Sequence, residues 1–322
     1  MIRVQGLSKD FRVHIKEPGL KGSLVALVHR KHVIKQALRT VDLTVAAGEM
    51  VGLIGANGAG KTTLVKILAG IIHPSSGEVT VMGHTPWERS NVLRREMALI
   101  MGQKAQLWWD LPALDSYLLL KEIYQIPDAL YRQQIEFLAD VLSIKDQLRT
   151  QVRKLSLGER MKVELMGALL HRPNVVYLDE PTIGLDISAQ KAVRSFLKGY
   201  QKEFRPIVLL TSHYMEDIKE LCPRVVLMKS GGVIYDGALA TVQARFGDKK
   251  RLVVRLEAGT PAVAGPWALE LQEDGSHALS VERSRLKEAV DHLLQLRPTD
   301  LTVQDPPVEE VIEALMHAGG PA

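Results

Sequence analysis

Short apolar runs punctuated by glycine, proline and acidic residues alternate along this chain with stretches of helical periodicity. Residues 1 to 13 read as a first strand. VDLTV (41–45) and EMVGLIG (49–55) are further strands, and PSSGEVTVMGH (74–84) is a turn followed by a strand. ALIM (98–101) reads as a buried strand. From 113 to about 171 the apolar period becomes helical, in ALDSYLLLKEIY, DALYRQQIEFLADVL and ERMKVELMGALL. Three more apolar runs, NVVYLDE, PIVLLTS and RVVLM, are separated by helical segments. This alternation predicts an α/β fold with a mainly parallel sheet covered by helices. SGGVIYDG predicts a hairpin with a Gly-Gly turn.

Two regions fall outside that alternation. Residues 14–37 are rich in Lys, Arg and His and weakly periodic, so they read as an inserted loop with room for one short helix. GDKKR (247–251) reads as a boundary. Beyond it RLVVRLE, WALELQ, HALSVER, the helix SRLKEAVDHLLQL, the strand LTVQD and a last helix predict a small α+β domain. The expected organisation is a domain of residues 1–247, helical at about 104–172, and an accessory domain of residues 248–322.

Composition adds limits. A chain of 322 residues suits two domains, and 46% apolar residues supply ample core. A solvated surface accounts for the net charge of +4 without nucleic acid as a partner, with anionic lipid headgroups a weaker second reading. The single cysteine, Cys222, excludes an internal disulfide and fits a reducing compartment. MIRVQGLSKD has no apolar signal region, and no run approaches the ~18 apolar residues of a membrane span.

The chemistry is concentrated at residues 55–63, GANGAGKTT, which follow the apolar run EMVGLI and precede the helix TTLVKILAG. This is a G-x-x-x-x-G-K-[ST] phosphate loop between a strand and a helix. Gly55, Gly58 and Gly60 let the backbone turn tightly, so that successive N–H groups point at phosphate oxygens. Gly55, Ala56, Asn57, Gly58, Ala59, Gly60, Lys61, Thr62 and Thr63 are therefore the candidate nucleotide-binding residues. Lys61 is placed for the β- and γ-phosphates, and the Thr62 hydroxyl for Mg²⁺. NVVYLDEPT (174–182) is an apolar strand ending in two acids. Isolated LDE strings are common, but after a phosphate loop this one supplies a Mg²⁺-binding carboxylate, Asp179, and a general base, Glu180.

LSLGER (155–160) opens a helix between these two motifs. The chain resembles the ATP-binding cassette (ABC) family, whose members carry a phosphate loop, an LSGGQ-like signature and an acid-terminated strand in this order. The resemblance covers roughly residues 1–240 and continues in Gln103, in TIGLD (182–186) and in His213. Taken singly, Gln103 and His213 would be surface polar residues. The resemblance implies a parallel sheet core, an antiparallel β subdomain and a helical signature subdomain. It also implies ATP and Mg²⁺ as ligands and a head-to-tail homodimer, with ATP between one chain's phosphate loop and the other's signature. Ser156, Gly158 and Glu159 would then bind nucleotide from across the dimer. Gln103 would complete the Mg²⁺ environment, His213 would bond the γ-phosphate, and Asp186 would lie on the dimer seam. The signature departs from the family at Leu157, in place of a glycine, and at Glu159, in place of glutamine, with Arg160 beside it to offset the charge. The family stacks adenine on an aromatic, for which Phe11 is the candidate, a core Phe being the rival reading.

GQKAQLWWDLPALDSYLLLKEIY resembles cassettes paired with separate six-helix permeases, including viologen and multidrug exporters. The tail LTVQDPPVEEVIEALM resembles drug- and sodium-export ATPases. The expected function is thus the ATPase subunit of an ABC exporter, cytoplasmic and peripheral on the inner face of the membrane, driving separate permease chains. A soluble ABC ATPase not coupled to transport is the alternative, and a nucleotide-gated module without hydrolysis is a third reading that Glu180 and His213 oppose. At least one of Trp108 and Trp109 is expected to be exposed, facing the permease.

Overall fold

The computed structural model describes residues 1–14, 32–102, 104–246, 249–257, 267, 269–272 and 274–317. The chain divides into two compact units, Met1–Asp236 and Gly237–Ala322. The division falls ahead of the boundary expected at residues 247 and 248.

The first unit opens with a long antiparallel pair, β1 (Ile2–His14) and β2 (His32–Val45), in register from Ile2 opposite Val45 to His14 opposite His32. Strand therefore occupies His14 and residues 32–37, which the sequence pattern assigned to a loop. The cause is visible in the exposure of β2, where burial alternates only from Leu38 onward. A strand wet on both faces has no hydrophobic period to read. The short helix expected in that segment lies outside the described residues.

β3 (Met50–Ile54) leads into α1 (Lys61–Leu68), followed by β4 (Ser76–Val81), α2 (Asn91–Arg95) and β5 (Met97–Met101). Three helices come next: α3 (Ala113–Tyr124), α4 (Asp128–Leu142) and α5 (Leu157–Leu169). The unit then alternates through β6 (Val175–Asp179), α6 (Ile187–Phe204), β7 (Ile207–Thr211), α7 (Met215–Leu221) and β8 (Arg224–Lys229), which a turn joins to β9 (Gly232–Ala238). The central sheet has the order β5-β6-β7-β3-β8-β9, and its pairs from β5 through β8 are parallel. A second sheet, β2-β1-β4, is antiparallel. The turn between β8 and β9 is centred on Ser230 and Gly231, both at positive φ, one residue earlier than the Gly-Gly pair. Gly231 is required there because a Cβ would stand 2.9 Å from the Ala37 carbonyl oxygen.

α1 is held by its apolar face. Leu64, Val65, Ile67 and Leu68 are buried in one cluster with Val51 and Leu53 of β3, Tyr177 of β6 and Leu209 of β7. Each such side chain contributes up to about 2 kcal/mol. That anchorage fixes the start of α1 against the ends of the parallel strands.

The second unit contains α8 (Leu239–Phe246), β10 (Lys249–Arg255), β11 (Glu270–Leu271), β12 (His277–Glu282), α9 (Leu286–Gln295), β13 (Asp300–Gln304) and α10 (Val308–His317). Its sheet is antiparallel in the order β11-β12-β10-β13. Leu252, Val254, Leu279 and Val281 pack on Ala289 and Leu293 of α9. Lys249–Arg251 of the basic run open β10, with Lys250 paired to Asp305 and Arg251 to Glu310.

One buried titratable group makes the first unit sensitive to acid. His171 stacks face to face on Tyr124, centroids 3.9 Å apart, and its Nε2–H donates to the Met97 carbonyl. Burial pushes its imidazole down from 6.5 to about 4, against the pull of that carbonyl. The unfolded chain therefore binds the proton first, and stability is lost as the pH falls from about 6.5 toward 4. Unfolding at pH 5 should be easier than at pH 7 by about 2 kcal/mol from this group. His171→Phe keeps a ring in the stack, so its denaturant midpoint should vary less between the two pH values. An equal pH dependence in both proteins would remove His171 from the account.

Candidate functional site

The loop joining β3 to α1 can be built only with glycine at its ends. Gly60 caps α1 at φ 105, and a Cβ at Gly55 would stand 2.4 Å from the Met228 carbonyl oxygen. Within the loop, Ala59 N–H donates to Ala56 O at 3.0 Å. Lys61 lies across the opening: its Nζ donates to Gly55 O at 2.6 Å and to Ala56 O at 3.3 Å. Burial pushes its pKa below the ordinary lysine value, with Glu180 and Asp179 pulling the other way. A cation held by backbone carbonyls in a half-dry site can exchange them for phosphate oxygens.

Opposite the loop, β6 and β7 end side by side, with Asp179 in register with Thr211. Asp179 Oδ1 accepts from Thr211 Oγ1 at 2.6 Å and from Thr62 Oγ1 at 3.3 Å. Glu180 then leaves the strand at φ +57, its N–H donating to Thr211 O at 3.0 Å. Its Oε1 lies 2.8 Å from His213 Nε2. Thr62, Lys66, Met101, Gly102, Lys104, Asp179 and Glu180 line a cavity of about 180 Å³. Thr62 and Asp179, whose Oγ1 and Oδ1 are 3.3 Å apart, line one space and form a donor pair of the hard-oxygen kind that suits Mg²⁺ completed by phosphate and water. Among the described residues no cluster of three or more His, Cys, Asp or Glu could hold a metal by itself. Gln103 lies outside the described residues.

The chain matches the model of the ABC transporter family over residues 38–183. It is 34% identical over 213 residues to the ABC transporter ATP-binding protein NatA of Bacillus subtilis (strain 168), covering 66% of this chain and 86% of that protein. The chain is an ABC transporter ATP-binding protein. It is also 34% identical over 229 residues to the daunorubicin resistance ATP-binding protein DrrA3 of Streptomyces coeruleorubidus, covering 70% of this chain and 71% of that one. A solved structure of an ATP-binding subunit of an ABC transporter superposes with a TM-score of 0.63 at 25% identity, over 77% of this chain and 93% of that one. The parallel sheet, the antiparallel β subdomain and the helical segment are those of this ABC fold.

The ABC signature opens α5. Ser156 and Glu159 form a reciprocal capping box at the start of α5. Ser156 Oγ donates to Glu159 Oε2 at 2.8 Å, and Glu159 N–H donates to Ser156 Oγ at 3.3 Å. The serine hydroxyl is thus engaged within the chain. Glu159 is also bonded by Gln147 Nε2 at 3.0 Å, and the Ser156 bonds hold its carboxyl below the usual range. Arg160 does not offset it; its guanidinium lies over the Trp109 ring at 5.0 Å. Gly158 is confined by α6, where a Cβ would stand 3.0 Å from Ala189 Cβ. Ser156, Gly158 and Glu159 do not line the cavity beside Thr62. Asp186 caps α6, its Oδ1 accepting from Ala189 N–H at 2.8 Å.

Phe11 lies half-buried on β1 opposite Lys35, outside the apolar core, with Lys9 Nζ 5.1 Å from its ring centre. Trp108 and Trp109 are both exposed, at 44% and 46%. The sequence reading missed Thr211, which holds Asp179, and Gly102, whose space is filled by the Glu180 backbone. A hydroxyl residue ending the strand before Ser212 and His213 was the available signal for Thr211.

Proposed function

We propose that this chain is the ATP-binding and hydrolysing subunit of an ABC exporter, acting on separate permease chains. The observation that carries the reading is the convergence of Lys61, Thr62, Asp179, Glu180 and His213 on one edge of the parallel sheet. In this reading the N–H groups of residues 55–63 and the Lys61 ammonium bind the β- and γ-phosphates. Thr62 and Asp179 hold Mg²⁺, which neutralises charge on the phosphates. Glu180 takes a proton from the attacking water, and His213, whose Nε2 lies 2.8 Å from Glu180 Oε1, bonds the γ-phosphate as its charge changes. Gln103 and Phe11 are proposed for the metal environment and the adenine.

One chain carries one phosphate loop and one signature, so a composite site needs two copies. Ser156, Gly158 and Glu159 then serve the other copy's nucleotide through the positive end of α5, with the capping box orienting that end. Among the described residues no helix is long and apolar enough to cross a membrane, and the reading assigns that step to the permease. The subunit would sit at the cytoplasmic face of the membrane. The named role of DrrA3 in drug resistance supports export as the direction. The second unit is proposed as an accessory domain without catalytic residues.

The test is phosphate release with Mg-ATP, followed by a detergent pull-down for integral membrane permease chains. Trp108, exposed next to the helical segment, is the proposed contact. Trp108→Ala should weaken permease affinity by about 2 kcal/mol, the loss expected when a hot-spot aromatic is truncated. Basal hydrolysis by the isolated subunit should hardly change. Unchanged co-purification with a lower Tm would mean that the ring covers the fold instead.

A further inference from the structure

One carboxylate behind the site takes no part in lining it. Asp217 on α7 is 1% exposed. Its Oδ2 accepts from Ser212 Oγ at 2.6 Å and from Thr182 Oγ1. Its Oδ1 accepts from Arg194 Nη1 of α6 at 3.1 Å. Arg194 is itself buried, with Nε 3.0 Å from Glu220 Oε1 but not aligned for a hydrogen bond. Thr182 and Ser212 are buried as well. Four segments therefore meet at one buried anion.

The two hydroxyl partners flank the two residues assigned to hydrolysis. Thr182 follows Glu180 by two positions, in a turn closed by Ile183 N–H donating to Glu180 O at 3.3 Å. Ser212 immediately precedes His213, and its Oγ also accepts from Tyr214 N–H at 3.0 Å. The hydroxyl thus holds the backbone on both sides of His213. Asp217 N–H donates to Tyr214 O at 3.1 Å and closes the same turn. In front of this lattice the 2.8 Å contact joins Glu180 Oε1 to His213 Nε2. The His213 side chain is 41% exposed, and Glu180 is held at positive φ. With His213 this exposed, its separation from Glu180 depends on the loops that carry the two residues. Stability alone does not call for this arrangement, since well-packed apolar groups serve a core as well as a buried ion pair.

We propose that Asp217 is a positioning residue for hydrolysis: by binding the Thr182 and Ser212 hydroxyls with one carboxylate oxygen, it ties the loop of Glu180 to the loop of His213. The proposal rests on the reading of Glu180 and His213 as the hydrolytic pair. It places these two loops under one constraint, so that neither moves against the nucleotide without the other.

Thr182→Val and Ser212→Ala each remove one hydroxyl and leave the Arg194–Asp217 pair. In full-length protein each should lower kcat about tenfold, the worth of one hydrogen bond's alignment. The Kd for Mg-ATP should stay within about twofold, because neither residue lies in the phosphate loop. Thr182→Ser should restore most of the rate. A second readout needs no turnover: the His213 imidazole resonance should shift in both variants while that of His84, remote in sequence and on the antiparallel sheet side, stays in place. Unchanged kcat with an unmoved His213 resonance overturns the proposal. So does a parallel loss of ATP affinity and Tm without a change in kcat. If the parent protein hydrolyses no ATP, the assignment of Glu180 fails, and the His213 resonance alone decides whether the two loops are tied.

Discussion

Glu180→Gln protein should bind Mg-ATP as tightly as the parent and hydrolyse it about 10²–10⁴ times more slowly, the usual contribution of a general base. That is a loss of about 3–5 kcal/mol of transition-state stabilisation. The substitution keeps the side chain's size and its place beside His213 Nε2, now at 2.8 Å from Oε1. It leaves Lys61 on Gly55 O and Asp179 on Thr211, so the phosphate and metal groups are unchanged. Only the proton acceptor is removed. A slow variant should also accumulate as an ATP-bound dimer, visible by light scattering. Near-parent turnover would take Glu180 out of the base role, and a monomer that persists with ATP and permease present would count against the composite site.

Gly102→Ala should cost about 10²-fold in kcat, the scale on which about 1 Å of misplacement is felt. Gly102 N–H donates to Asp179 O at 2.9 Å, at the end of β5. A Cβ there would stand 2.0 Å from the Glu180 carbonyl oxygen and 3.1 Å from Ile183 Cγ2. Backbone atoms cannot swing aside as a flexible side chain can, so the β5 end and the Glu180 turn must part. Asp179 is paired to β5 through the same register, from Met97 opposite Val175 to Met101 opposite Asp179. The phosphate loop belongs to β3 and α1 and is not displaced, so ATP affinity should hold within a few-fold. A variant with parent-like kcat would show that this edge of the sheet yields without moving Glu180. A variant that loses ATP binding and kcat together would show that the damage spreads beyond Glu180.

Much of the first unit was legible in the chain because its parallel strands are buried on both faces. NVVYLDE, PIVLLTS and RVVLM are continuous apolar runs, and a residue that ends such a run must emerge at the sheet edge. Asp179 and Glu180 follow from that, and the phosphate loop follows from its glycine spacing, which no other local geometry needs. The outer half of the β1–β2 pair was not legible, because neither face is dry and no period results. The second unit was legible in its elements, although the charged Lys249–Arg251, which resemble a linker, open the strand β10.

The local order of residues by itself determined the fold class, the strand-to-helix placement of Lys61 and Thr62, and the ABC signature at the head of a helix. Those features depend on backbone conformation and burial period, which neighbouring residues set. Tertiary structure alone decided that Arg160 lies over Trp109 and that Asp217 gathers Thr182 and Ser212. Each is a choice among several hydrogen-bonding or ring partners within reach of a long or rotatable side chain. Such choices are settled by which segments the packed sheet and helices bring together, and no spacing along the chain records them.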